Sequence, residues 1–329
     1  MIKIRFVSAV LLLTQAAFLA RAETEVSPPT RYTGMCDASA AVALTDQLFA
    51  VASDEDSVVR IYQRDRGGPP VQSIDLSAFL DLDPKKPESD IEAAARVGDR
   101  IYWITSHGRN RNGRERPSRE RFFATQITTN ATGVELKMVG KPYERLLSDL
   151  LGDSRLKSFK LAEASRREPK APQGLNIEGL SATPEGHLLI GFRNPLPGGR
   201  ALLVPLLNPD DVIRGKPAKL GDPALLDLDG LGIRDMTYWK GKYLIIGGSY
   251  DGQGSSHLYR WLGGPSAPRM AKHARLKGLN PEAIIIYPDK GLKEVQLLSD
   301  DGRVLVNGKP CKEVAAPDRR SFRSVWVVN

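Results

Sequence analysis

One short plan recurs five times along this chain: an acidic residue in a short apolar stretch, a tight turn, a strongly apolar strand and a polar tip. Such a repeat constrains the fold more than any single motif, because one hairpin cannot bury its apolar face alone and must stack on its neighbours. The first unit has Cys36-Asp37-Ala38, the turn Thr45-Asp46-Gln47, a strand over 48–52 and the tip Ser53-Asp54-Glu55-Asp56. The second has Asp90-Ile91-Glu92, Gly98-Asp99, a strand over 101–105 and Ser106-His107-Gly108-Arg109. The third has Asn176-Ile177-Glu178-Gly179, Pro184-Glu185-Gly186, a strand over 187–192 and Arg193-Asn194-Pro195. The fourth has Ile233-Arg234-Asp235-Met236, Lys240-Gly241, a strand over 243–246 and a tip from Gly247 to Asp251. The fifth has Asn280-Pro281-Glu282-Ala283, Asp289-Lys290-Gly291, a strand over 294–298 and Ser299-Asp300-Asp301-Gly302.

Further strand-like runs follow these hairpins, over 58–63, 71–76, 122–128, 134–139, 201–206, 257–261, 270–276, 303–306 and 322–328. Many short strands in regular order predict an all-β fold, a single β-propeller of five blades. The long spacing between Glu92 and Glu178 leaves room for a sixth. That spacing also holds the one helical pattern: Leu146, Leu147, Leu150, Leu151, Leu156, Phe159 and Leu161 recur near a period of 3.6. A helical insertion is expected over 141–172, either as a lid over the axis or as packing.

The chain opens like an export signal. Lys3 and Arg5 precede an apolar run over 6–13, and Ala20-Arg21-Ala22 offers small residues for cleavage. Residues 1–22 are read as the signal and 23–329 as one domain, periplasmic or secreted. Cleavage removes Lys3, Arg5 and Arg21 and no acid, so the net charge falls from +8 to +5. Export makes nucleic acid an unexpected partner; the excess suits anionic substrates or envelope groups. No later stretch is long and apolar enough to span a membrane, and a monomer is expected. In an oxidising compartment the two cysteines, Cys36 and Cys311, read as one disulfide, with two separate buried thiols as the alternative. In the chain-entropy picture such a bond adds about 5 kcal/mol, and it would bolt the first blade to the last.

If Asp37, Glu92, Glu178, Asp235 and Glu282 share one register, they converge near one mouth of the central channel. Clustered carboxylates repel, so a cation, arginines or protons must offset them. A cluster of oxygens suits Ca²⁺ or another hard divalent cation. The plainer reading has each acid pin its blade to a neighbour through backbone N–H groups or through Arg193 and Arg234. Arg109, Arg193 and Arg234 are also candidates to grip an anionic ligand. Arg109 begins a segment, 109–121, with six arginines, which reads equally as a solvated loop. His107, at the second tip, is a candidate acid, base or ligand, or a plain loop histidine. His187, His257 and His273 fall in or beside strands and read as structural. No paired-histidine zinc pattern, nucleophile elbow, calcium-hand loop or phosphate-cradling glycine loop is present.

The segments Asp90-Ile91-Glu92-Ala93-Ala94, Asn176-Ile177-Glu178-Gly179-Leu180, Gly232-Ile233-Arg234-Asp235-Met236 and Asn280-Pro281-Glu282-Ala283 resemble an uncharacterised, mostly bacterial family of exported proteins. That family is known only as a domain of unknown function, and the resemblance covers nearly all of the chain after the signal. Asn176-Ile177-Glu178-Gly179-Leu180 is also similar to segments of phytase-like esterase propellers. That similarity implies a metal-assisted hydrolase but transfers no catalytic set, since fold kinship does not dictate function. The function expected is hydrolysis of a small anionic ester or phosphoester at the acidic mouth, with Glu92 or Glu178 as base. The rival is a non-catalytic propeller that binds a protein or glycan partner.

Overall fold

Runs such as Ile101-Tyr102-Trp103-Ile104 and Leu244-Ile245-Ile246 bury every side chain in succession. A strand of that kind needs an apolar layer on both faces of its sheet, and a ring of sheets supplies both. The computed structural model describes residues 25–85, 87–130, 133–271, 276 and 278–328, and it arranges them as a five-bladed β-propeller.

Blade 1 is Ala40–Ala43, Leu48–Ala52, Val58–Gln63 and Gln72–Asp75; blade 2 is Ile91–Val97, Arg100–Thr105, Phe122–Asn130 and Gly133–Tyr143. Blade 3 is Asn176–Ala182, Leu188–Asn194, Ala201–Leu206 and Ala224–Leu226; blade 4 is Gly232–Trp239, Lys242–Gly248, His257–Trp261 and Arg269–Met270. Each pairs antiparallel in chain order. The inner hairpins turn where the sequence indicates: Lys240 and Gly241 both take positive φ, 42° and 85°, as a two-residue turn matched to strand twist requires. The first strands of successive blades pack side by side around the axis, and the fifth closes on the first.

Five hydrophobic clusters occupy the five seams between blades. The cluster between blades 2 and 3 contains the helical insertion, realised as Leu146–Gly152, a 3-10 turn over Ser154–Phe159 and Leu161–Ala164. Its Leu146, Leu150, Leu156 and Leu161 are buried against those two blades. The insertion is therefore packing, and no sixth blade lies in this interval.

Blade 5 departs from expectation. Its inner strands are Pro281–Ile285 and Glu294–Ser299, its third is Ser321–Val328, and the N-terminal strands Glu25–Val26 and Thr30–Thr33 both pair with that third strand. The run expected over 303–306 is only a two-residue strand, Leu305–Val306, paired with Lys309–Pro310 outside the blade. Closure is thus made by sheet pairing between the two ends of the domain. An aromatic group reinforces it, with Tyr32 5.2 Å from Phe49 and 5.3 Å from Phe322 between ring centroids. Cys36 and Cys311 form the disulfide, with Cα atoms 5.9 Å apart. It joins the segment leaving the N-terminal strand to a loop of blade 5.

Among the described residues no helix is long and apolar enough to cross a membrane. The expected export signal over 1–22, and His273, lie outside the described residues.

Candidate functional site

The site is built by a backbone irregularity repeated in four blades. Pairing in the inner hairpin jumps from Ile91↔Thr105 to Ala93↔Ile104, and from Ile177↔Phe192 to Gly179↔Gly191. It jumps likewise from Ile233↔Gly247 to Asp235↔Ile246, and from Pro281↔Ser299 to Ala283↔Leu298. A bulge leaves one residue unpaired and re-aims its side chain. The bulged residues are Glu92, Glu178, Arg234 and Glu282. By the same spacing Ser39 precedes Ala40 in blade 1. Two residues earlier stand Asp37, Asp90, Asn176, Gly232 and Asn280.

The five acids expected to form a ring therefore do not share one register. Asp235 lies one residue past the bulge, and Arg234 takes its place. The Asp235 carboxylate instead accepts from Ile284 N at 2.6 Å, tying blade 4 to blade 5, and it lines a cavity that Ala41, Ala95, Ser181 and Ile285 share. Burial pushes its carboxyl well above the ordinary range. Asp37 stands two residues before the equivalent place.

On the side of blades 3, 4 and 5 the bulged residues neutralise one another. Arg234 pairs with Glu282, and its Nε lies 3.5 Å from Glu178 Oε2; Arg193 pairs with Glu178. Asn176 Nδ2 also donates to Glu178 Oε1 at 2.7 Å, and Arg193 Nε donates to Ser249 O at 2.9 Å. Arg234 donates to Asn280, whose Nδ2 donates to Asp300 Oδ2 at 2.9 Å. Burial and the Arg193 charge pull the Arg234 guanidinium down to about 10. Its side chain fits because residue 248 is glycine; a Cβ there would overlap Arg234 Cδ. Lys170, Arg193, Arg234, Glu282, Asp300 and Arg303 help to line a cavity of about 340 Å³ at this mouth.

On the side of blades 1 and 2 Asp90 pairs with Arg119 and Glu55 with Lys312, whereas among the described residues Asp37, Asp54 and Glu92 form no ion pair. Oxygens of Asp37, Asp54 and Glu55 lie within 4.8 Å of one another, as do those of Asp54, Asp90 and Glu92. Asp54 Oδ1 is buried with no hydrogen-bond partner among the described residues. Burial raises the Asp37 carboxyl to about 8, with Asp300 adding to the effect. Burial also holds Asp54 and Glu92 well above the ordinary range, reinforced by Asp37 and by Glu178 respectively. Asp90 rises only to about 6, because Arg119, 3.0 Å away, offsets its burial. This oxygen set can hold a hard cation.

Of the expected site residues, the fold brings Asp37 and Glu92 into the carboxylate group and Glu178, Glu282, Arg193 and Arg234 into the arginine group. His107 joins neither. Its Nδ1 meets Thr105 O at 2.8 Å, its backbone N donates to Arg119 O, and its Nε2 has no partner among the described residues. Burial lowers its pKa to about 4, so it stays neutral. Arg109 is engaged locally by Ser165 O, Gly113 O and Glu115. The residues not singled out from sequence are Asp54, Asp90, Asp300 and Lys170. The first three stand in the repeat segments themselves, and their signal was the recurrence of Asp at tips and strand entries.

The family described as "Protein of unknown function (DUF3616)" matches residues 37–132 and 123–286. Among solved structures the fold is similar to Myxococcus xanthus glutaminyl cyclase, with 12% identity over 93% of this chain and 97% of that chain, TM-score 0.44. It is similar to the PQQ-bound aldose sugar dehydrogenase of Streptomyces coelicolor, with 12% identity over 92% and 99%, TM-score 0.47. A third is the arabinanase of Bacillus subtilis, with 11% identity over 91% and 96%, TM-score 0.43. Likenesses this distant carry no weight for chemistry. No curated protein matches the chain.

Proposed function

This chain belongs to the DUF3616 family of proteins of unknown function, and from that premise we propose an exported propeller that binds a divalent cation and hydrolyses a small anionic ester or phosphoester. The observation that carries the reading is Asp54. One of its oxygens is buried without a partner among the described residues, and its carboxylate belongs both to the group with Asp37 and Glu55 and to the group with Asp90 and Glu92. A buried carboxylate without a partner is costly, and a cation offsets that cost. An all-oxygen set suits Ca²⁺ or a comparable hard ion.

The neighbouring cavity offers Lys170, Arg193 and Arg234 to the anionic group of the ligand. The cation would polarise the ester oxygen and activate water. Glu92 is the proposed base, because Glu178 is already held by Arg193 and Asn176. Export is supported by the residue pattern over 1–22 and by the disulfide, a bond that persists in oxidising compartments.

The test is calorimetric titration of the purified protein with Ca²⁺ and with Mn²⁺, beside a panel of chromogenic esters and phosphoesters with and without chelator. Cation binding with chelator-sensitive turnover, lost in Asp54→Asn and Glu92→Gln, is expected. No bound cation and no turnover would defeat the reading; a bound cation without turnover would leave a binding propeller.

A further inference from the structure

The disulfide and the carboxylate group are adjacent in the chain at both ends of the bond. Cys36 is followed directly by Asp37, and Cys311 by Lys312. Asp37 belongs to the carboxylate group, and Lys312 Nζ donates to Glu55 Oε1, another member, at 2.6 Å. The backbone around the bond is tied down as well. Asp301 N donates to Cys36 O at 2.9 Å, Cys311 N to Val304 O at 2.8 Å, and Lys312 N to Gly302 O at 3.1 Å. Gly302 lies so close to the Asp37 carboxylate that a Cβ there would overlap it.

Asp37 therefore has its side chain against the loop that Cys311 anchors, while its backbone leaves Cys36 toward blade 1. It stands before the first strand of blade 1, outside the sheet ladder, and its side chain also meets that of Asp300. We infer that the Cys36–Cys311 bond is a positioning element of the cation site, which holds Asp37 in the carboxylate group. The bond thus does more than close the ring, which strand pairing and the Tyr32 aromatic group already close. The inference rests on the cation reading above. Groups that orient metal ligands are worth roughly 10–100-fold in affinity, and an effect of that size is expected here.

The experiment compares Ca²⁺ and Mn²⁺ affinity, by calorimetry, in three forms of the full-length exported protein: oxidised wild type, Cys36→Ser/Cys311→Ser, and Gly302→Ala. The serine pair should keep the β-sheet circular dichroism and a cooperative melt while its cation affinity falls at least tenfold. Gly302→Ala keeps the disulfide but displaces the Asp37 carboxylate, so it should lose affinity to a similar degree. If the serine pair does not fold, the wild type with the bond reduced is the deciding form, and Gly302→Ala tests the direction of Asp37 alone. Wild-type affinity in a folded serine pair, or in Gly302→Ala, overturns the inference and leaves the cation reading intact. Absence of cation binding in the oxidised wild type overturns both.

Discussion

Lys312 Nζ donates to Glu55 Oε1 at 2.6 Å, across 257 residues of sequence. The ammonium sits at the edge of the carboxylate group; burial opposes its charge, and Glu55, then Asp37 and Asp54, outweigh that effect and hold it charged. It is a built-in competitor for any cation bound there. Replacing it in Lys312→Gln should tighten Ca²⁺ binding about fivefold at low ionic strength, roughly 1 kcal/mol, as for unit charges about 4 Å apart at the dielectric of water. Calorimetry at low and high salt checks this. Weaker binding in the variant would mean that Lys312 supports the site instead.

Without a cation the buried carboxylates hold protons, and the consequence is a pH dependence of definite sign. An unfolded aspartate ionises near 4, whereas folded Asp37 keeps its proton up to about 8 and Asp90 up to about 6. Between those values the folded state binds more protons than the unfolded one, so stability falls as pH rises through the window. With chelator present the melting temperature should decline steadily from pH 5 to pH 8. Saturating Ca²⁺ should flatten the decline, since it stabilises the ionised carboxylates. A flat profile with chelator would show that these groups titrate normally.

Arg234 is 5% exposed and pairs with Glu282 and Glu178. Arg234→Met removes the cation and strands Glu282 in the interior. Breaking one side of a buried pair typically destabilises by about 3–5 kcal/mol, and a loss of that order is expected by urea denaturation. Replacing Arg234 and Glu282 together by apolar residues should recover much of it. A single variant as stable as the wild type would show that the pair is not formed.

Asp235 tests the register directly. Its carboxylate accepts from Ile284 N, away from the carboxylate group, and an amide oxygen can accept that bond equally well. Asp235→Asn should leave Ca²⁺ affinity unchanged, whereas Asp54→Asn should abolish it. A loss of cation binding in Asp235→Asn would restore the ring that the register rules out.

Much of the fold is legible in local chemistry. The apolar runs mark the strands, the Lys240-Gly241 pair marks a turn, and the leucines after residue 145 mark the insertion, because each signal acts over a few neighbouring residues. The N-terminal strand was not legible. Thr30–Thr33 carries no hint that it pairs with residues 321–324, since its apolar content is low and its partner lies nearly 300 residues away. The candidate site was half legible. Glu92 and Asp37 stood out as recurrent acids, but Asp54 is one of several acids in an ordinary polar tip until the tip is folded against Asp90.

By itself the sequence determined repeated β hairpins and a helical insertion, and with two cysteines it left one possible intrachain disulfide, for periodicity and cysteine count are properties of the chain. Only the tertiary structure decided which carboxylates meet. A bulge shifts the pairing by one residue and so turns Arg234, not Asp235, toward the mouth, while ring closure and the disulfide carry Asp37 beside Asp54. Those are consequences of pairing geometry between distant segments, and no local pattern of side chains encodes them.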